Sequence, residues 1–260
     1  MSEIHEKLNK CRLCAKEKPL GKSHIIPKSF FERFQEEKMA AMLISNTQGA
    51  YPKKSRTGIY DPTILCLDCE KEYFQDVDNY AAEVLLNSTA KYFAKEVGPE
   101  GVAFMYSDGV DQHLLMRFFV SVLWRASVSK DSFFKRVNLG PYEIEAAKVI
   151  LHPDKGVPKI FSALLSMWKD LDEKDSGLMM DPFKEKWDGV NAYRFYFGYF
   201  VAYIKVDQRD FIGVFEKLAL GNADTLRVIG RNIEKSPDGI ALRCAAVESI
   251  LNHKRRAGKI

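Results

Sequence analysis

Two Cys-x-x-Cys pairs constrain the fold of this chain more than any other feature of its sequence. Cys11 and Cys14 form the first pair, Cys66 and Cys69 form the second, and residues 15–65 lie between them. A Cys-x-x-Cys turn lets two thiolates contact one ion, and two such turns complete a tetrahedral Zn²⁺ site. We therefore predict structural zinc. Redox-active thiols are the alternative, but such pairs usually belong to a βαβ pattern, which surrounds neither pair here.

Composition restricts the class of protein only mildly. The 260 residues carry 39 basic and 35 acidic side chains, and a net charge of +4 does not by itself argue for a nucleic-acid partner. No apolar run approaches the ~18 residues of a membrane span, and the polar N-terminus has no signal-peptide core. Thiols in metal-type spacing fit a reducing cytoplasm, so we expect a cytoplasmic protein without membrane association. Cys244 is predicted to be a small core residue. The oligomeric state stays open.

The segments around the cysteines carry a second pattern. The first reads Lys22-Ser-His-Ile-Ile-Pro-Lys28, and the second reads Leu65-Cys-Leu-Asp-Cys-Glu70. Over roughly residues 8–82 this order resembles the HNH (ββα-metal, treble-clef zinc) endonucleases. It is also similar to a group of bacterial proteins with the same motifs. The resemblance implies a metal-dependent nuclease that hydrolyses phosphodiester bonds of nucleic acid, with DNA expected ahead of RNA, in a bacterial defence or toxin context.

The same resemblance implies which residues do the chemistry. His24 would be the general base that activates water, and Glu70 the leading helix ligand of a catalytic Mg²⁺ or Mn²⁺ ion. Ser23 stands where the family has Asp, and a hydroxyl is a poorer ligand than a carboxylate for a hard cation. Asp78 and Asn79 are the further candidate ligands. Glu70 and Asp78 share a helix face, but about 12 Å along the axis would prevent one ion from easily taking both.

A non-catalytic zinc-finger module that binds nucleic acid or protein is the alternative, and Ser23 in place of Asp favours it. Two other features stay open in the same way. The basic, turn-rich stretch 45–62 is either a phosphate-binding loop or a solvated loop. The stripe formed by Arg117, Ser121 and Arg125 is either solvated or contacts phosphate.

Hydrophobic periodicity predicts an α+β protein. A treble-clef/ββα zinc module is expected over residues 1–97, ending at the break around Gly98, Pro99 and Gly101. Residues 98–260 are expected to be mainly helical, with a small aromatic-rich sheet formed by 159–169, which is ambiguous between helix and strand, and 191–206. The predicted helices cover 28–42, 68–97, 111–130, 141–151 and 236–254, and the helix at 111–130 is expected to be central to the core.

Overall fold

A computed structural model describes residues 9–36, 40–45, 52–98, 103–168, 178–240, 243–244 and 247. Residues 46–51 of the 45–62 stretch and most of the predicted helix at 236–254 beyond residue 240 lie outside these residues. Up to the second cysteine pair, the described residues form six short strands and one helix. Its elements are β1 (Asn9–Lys10), β2 (Glu17–Lys18), β3 (Ser23–His24), α1 (Ser29–Glu36), β4 (Ala41–Ile44), β5 (Lys53–Ser55) and β6 (Tyr60–Asp61).

A nearly continuous helical run follows the second cysteine pair. It consists of α2 (Leu67–Cys69), a π-helical stretch (Glu70–Phe74), α3 (Gln75–Ala82), a second π-helical stretch (Glu83–Asn87) and α4 (Thr89–Tyr92). The predicted helix at 68–97 is therefore interrupted and ends early, because Ala94–Val97 forms strand β7. The predicted helix at 28–42 is also too long, since α1 ends at Glu36 and β4 begins at Ala41.

The remaining elements build a large sheet and two further helices. They are β8 (Ala103–Ser107), α5 (Gln112–Val128), α6 (Tyr142–Leu151), β9 (Phe161–Trp168), β10 (Leu178–Met180), β11 (Phe183–Trp187), β12 (Val190–Phe197), β13 (Phe200–Val206), α7 (Val214–Leu218) and β14 (Leu226–Arg231). The last helix begins at Pro237, as predicted, and the Ser236 hydroxyl accepts a hydrogen bond from the Gly239 amide at 3.1 Å.

Seven strands form one sheet in the order β11-β12-β13-β9-β14-β8-β7, and only the β9–β14 pairing is parallel. The α+β class is confirmed, and 159–169 resolves as strand β9, paired with β13. The expectation of a small sheet in a mainly helical region is wrong. This sheet is the largest unit of the C-terminal part. The break predicted at Gly98 lies between β7 and β8, which pair as antiparallel neighbours, so one sheet takes strands from both sides of the expected domain boundary.

Helix α5 packs in the centre of the core, which confirms the prediction for 111–130. Asp111 caps its start, since the carboxylate accepts a hydrogen bond from the Leu114 amide at 2.9 Å. Phe118 and Phe119 are fully buried and contact Phe197 of the sheet, with ring centroids 5.2 and 5.5 Å apart. Phe30 of α1 stacks on Phe118 and also contacts the edge of Phe197. One aromatic cluster therefore joins the cysteine-rich part to the sheet.

Candidate metal centre and its polar surroundings

The four cysteines that the sequence singles out lie together. One ligand atom from each of Cys11, Cys14, Cys66 and Cys69 falls within 4.8 Å of all the others. The Cys14 and Cys66 sulfurs are 4.0 Å apart, close to the ~3.8 Å that Zn–S bonds of about 2.3 Å give in a tetrahedron. Such a cluster could hold a metal ion, as the spacing predicts.

Local backbone bonds position these sulfurs. The Ala15 amide donates to the Cys11 carbonyl at 2.9 Å and closes the first turn, while the Cys66 amide donates to the Cys11 sulfur at 3.4 Å. Cys66 is the N-cap residue of α2, and Cys69 lies in its first turn. The partial positive charge at this helix end favours thiolates. The sequence thus builds two facing knuckles, one on a turn and one on a helix start.

The chemistry of the sulfurs also fits a cation. Burial raises the pKa of the Cys11 thiol, and burial followed by the neighbouring thiols raises the pKa of Cys69 well above its ordinary value. Cys11 and Cys69 therefore resist ionisation without an ion, and a bound divalent ion reverses this effect by deprotonating its ligands. The four residues therefore suit Zn²⁺, which takes thiolate ligands in closed tetrahedral sites.

His24 lies on β3, a short distance along the chain from the first knuckle. Its Nε2 is buried and has no hydrogen-bond partner in the part of the chain that the structure describes. Burial, followed by the positive charges of Lys28 and Arg125, lowers the pKa of His24, and the nearby Thr57 backbone opposes part of this fall. The ring is therefore neutral at pH 7.

Ser23 and Glu70 are in direct contact. The Ser23 hydroxyl, on a residue only 1% exposed, donates to Glu70 Oε2 at 2.7 Å. Glu70 is half-buried and begins the π-helical stretch, a type of irregularity that is frequent at functional sites. Burial raises the pKa of the Glu70 carboxyl, while the Arg125 charge and the Ser23 bond oppose the rise. The structure therefore brings Ser23 and Glu70 together. His24 is the next residue on the same strand, where adjacent side chains point to opposite faces.

Arg125 of α5 is the member of this network that the sequence does not assign. It is fully buried, and its two terminal nitrogens donate to the two Asp78 oxygens at 2.8 and 2.7 Å. It also donates to the His24 carbonyl at 2.9 Å and lies over the Phe74 ring. The guanidinium is withdrawn from solvent, so the expectation of a solvated side chain is wrong for Arg125. One signal could have placed it inward: Phe118, which is buried, precedes it by seven residues on the same helix face.

This ion pair corrects the expectation that Asp78 is a metal ligand, because both of its oxygens are already taken by Arg125. Asn79 is exposed, and the structure does not place it with the other candidates. It was expected on the inner face because it is adjacent to Asp78, but adjacent helix residues point about 100° apart. Cys244, predicted to be buried, is exposed instead.

Asp61 connects the β3–β6 strand pair to the segment that follows α5. It pairs with Ser23 across the β3–β6 ladder, and its Oδ2 accepts from the Ser129 hydroxyl at 3.0 Å and from the Lys130 amide at 2.9 Å. These bonds join β6 to the segment that directly follows α5. The strand that carries His24 is thus held from one side by the cysteine knuckles and from the other by α5.

Basic and aromatic side chains lie on the segments next to His24. Thr57, in the loop between β5 and β6, approaches the His24 ring, and Tyr60 pairs with His24 across the β3–β6 ladder. Tyr60 is 41% exposed, and its ring centroid is 5.8 Å from that of His24. The exposed cations on the same segments are Lys22, Lys28, Lys53, Lys54 and Arg56.

No protein-family model, curated protein or solved structure matches the chain. In the described ranges, no helix combines the length and the apolar character needed to cross a bilayer. The assignment of a function therefore depends on the residues and contacts described above.

Proposed function

We propose that the protein is a metal-dependent, HNH-like nuclease whose water-activating base is His24. The observation that carries the proposal is the buried Nε2 of His24. It has no partner among the described residues and lies on the strand whose Ser23 contacts Glu70. A general base needs a free, correctly aimed nitrogen in the unprotonated state. An unpartnered buried nitrogen also costs free energy, which a substrate or water placed there would recover.

Two kinds of metal have different support. Cys11, Cys14, Cys66 and Cys69 would hold a structural Zn²⁺ that fixes β3 against α2. For a catalytic Mg²⁺ or Mn²⁺, Glu70 is the carboxylate ligand, through the oxygen that Ser23 does not occupy. When bound, such an ion would supply charge stabilisation for the phosphate and the leaving oxygen. Mg²⁺ commonly binds through one carboxylate and several waters, and such a site has weak affinity.

The residues themselves would perform three tasks in this mechanism. Nε2 would take the proton from the attacking water, since the lowered pKa of the ring keeps it unprotonated at pH 7. The exposed cations of β5 and of the loop after it, together with Lys22 and Lys28, would neutralise phosphates of the nucleic acid. Tyr60 presents an aromatic face beside the base, and a nucleobase could stack on it. DNA stays the expected substrate, ahead of RNA.

A zinc module that binds nucleic acid or protein without cleaving is the second candidate. The specific observation in its favour is that protein groups already bind most of the candidate ligand oxygens. Ser23 binds one oxygen of Glu70, and Arg125 binds both oxygens of Asp78. The buried positive charge of Arg125 would also oppose a nearby divalent ion. In this case the exposed cations of β5 and of the loop after it would still bind a polyanion.

Cleavage across a panel of metals separates the two candidates. Zinc-loaded protein is incubated with plasmid DNA and single-stranded RNA in millimolar Mg²⁺, Mn²⁺ or EDTA. We expect cleavage with Mg²⁺ or Mn²⁺, and its loss in His24→Ala and in Glu70→Ala, with excess metal partly restoring the second variant. Asn79→Ala, an exposed neighbour on the same helical run, is the matched control and should cleave like the wild type.

Binding measured on the same variants completes the test. The nuclease proposal expects His24→Ala to fold and to retain affinity for the nucleic acid. Wild-type protein that binds but cuts no substrate with any metal would favour the binding module. Failure of both binding and cleavage would overturn the nuclease and the nucleic-acid-binding module, and would leave only the module that binds protein.

A further inference from the structure

A cleft of about 750 Å³ lies between the first turn of α5, the start of β9 and the segment that follows β13. Ligand pockets in proteins commonly measure roughly 300–1,000 Å³. The cleft contacts Gln112, His113 and Met116 at the N-terminal end of α5. The His24 site instead contacts the C-terminal half of that helix, through Arg125. The cleft is therefore a second site, independent of the metal centre and of the proposed nuclease activity.

Apolar side chains line the inner wall of the cleft, and its rim is braced. The apolar lining includes Met116, Phe161, Phe211 and Leu220, each no more than 5% exposed. At the rim, the Gln112 side chain donates to the Ala223 and Asp224 carbonyls at 2.8 and 2.9 Å and accepts from the Gly221 amide at 2.9 Å. The shape is thus largely formed before any ligand enters, as is usual for small-molecule sites.

Two polar groups converge on this wall. Ser162 and Lys205 are direct partners in the β9–β13 ladder, so their side chains share one face of the sheet. Lys205 is 1% exposed, and its ammonium donates to the Arg209 carbonyl at 2.8 Å and to Asp210 Oδ1 at 3.0 Å. An ammonium has three donors, so one is left. The Ser162 hydroxyl is buried and has no partner within the described residues.

The charges around the cleft favour an anion. Lys159 and Lys217 are exposed at its edge and add two cations to the buried Lys205. The acidic lining residues are Asp210, which already pairs with Lys205, and Glu216. The cations thus outnumber the acids at the cleft. With the unused donors of Lys205 and Ser162, they would stabilise an anionic group more than a neutral one.

We propose that this cleft binds a small organic anion, with a carboxylate or phosphate held by Lys205 and Ser162 and an apolar body against Phe161 and Phe211. The buried ammonium and hydroxyl supply charge-assisted hydrogen bonds at the closed end. The aromatic walls supply apolar contact area. The centroid of the Phe211 ring lies 6.0 Å from Lys205 Nζ. The chemistry is shared by carboxylic acids with an apolar tail and by nucleoside monophosphates.

Thermal unfolding of the full-length, zinc-loaded protein with matched ligand pairs tests the proposal. The anions are octanoate, phenylacetate and adenosine 5′-monophosphate, and their neutral counterparts are octanol, phenylacetamide and adenosine. We expect at least one anion to raise the unfolding temperature while its counterpart does not. Stabilisation by the acids alone would assign a carboxylate ligand, and stabilisation by the nucleotide alone would assign a phosphate ligand. No stabilisation by any anion, or equal stabilisation by the neutral counterpart, would overturn the proposal.

Titration calorimetry on variants then locates the binding. Ser162→Ala and Lys205→Met should each weaken the best anion roughly tenfold or more, the usual worth of a charge-assisted bond. Lys186→Met, which removes an exposed cation from β11, should leave its affinity unchanged. If Lys205→Met does not fold, Ser162→Ala decides the question alone. Unchanged affinity in Ser162→Ala would overturn the assignment of this cleft.

Discussion

The buried pair of Arg125 and Asp78 gives the sharpest test of how the cysteine-rich part is joined to α5. Arg125 is fully buried and makes four hydrogen bonds, two of them to Asp78, one to the His24 carbonyl and one to Ser121. Arg125→Met would keep the apolar stem and remove every one of these bonds. The Asp78 carboxylate, whose side chain is 16% exposed, would then be a buried charge without a partner.

Breaking one side of such a pair typically costs about 3–5 kcal/mol. We expect this loss in the free energy of unfolding of Arg125→Met, measured by urea titration of zinc-loaded protein and followed by circular dichroism. Asp78→Leu should lose a similar amount, because it leaves the guanidinium unpaired. The double variant should be more stable than either single variant, since replacing both charges removes the unpaired group.

Asn79→Leu is the matched control, because Asn79 is exposed beside Asp78. It should change the unfolding free energy by no more than about 0.5 kcal/mol. An Arg125→Met variant within about 1 kcal/mol of the wild type would refute the reasoning. A double variant less stable than both single variants would refute it as well, since the cost would then come from lost packing and not from an unpaired charge.

Three further outcomes follow from the same structure. Elemental analysis should find one Zn²⁺ per chain, and Cys66→Ser should unfold the N-terminal part first, because structural zinc contributes roughly 10–16 kcal/mol of apparent binding energy; protein that folds without metal would contradict this. Burial raises the pKa of Tyr203 to about 12, above its unfolded value of roughly 10, so the folded state holds the proton more tightly and stability should fall as pH rises from about 10 to 12. In urea titrations this fall should be smaller in Tyr203→Phe, and an equal slope would count against it. Phe118→Ala should cost about 3–5 kcal/mol in urea unfolding, whereas Ile144→Ala, at a side chain 65% exposed, should cost little; similar losses would place the core elsewhere.

The sequence predicts the features that depend on local spacing. Each Cys-x-x-Cys turn places its two sulfurs within a few residues, so the cluster needs only that the two turns meet. The N-cap at Ser236 and the span of α5 also follow from adjacent residues. Strand β9 was ambiguous because six of its eight residues are buried, and a continuous apolar run does not distinguish a buried strand from a buried helix.

Features that depend on residues distant in the sequence could not be predicted from local spacing. The size of the sheet was underestimated because β7 and β11 are edge strands whose lysines obscure the pattern. Asp78 looked like a candidate metal ligand because its partner, Arg125, lies 47 residues away on another helix. The direction of a helical side chain follows from spacing, but the group it meets there follows only from tertiary packing.

The central claim is that His24 Nε2 acts as the base, and chemical rescue tests it most directly. Single-turnover cleavage of the best substrate is compared between wild-type protein and His24→Ala, with and without imidazole in the buffer. We predict a loss of about 10²–10⁴-fold in His24→Ala, the usual worth of a positioned base, and partial recovery when imidazole occupies the vacated space. A His24→Ala variant that cleaves at the wild-type rate, with no response to imidazole, would contradict the account.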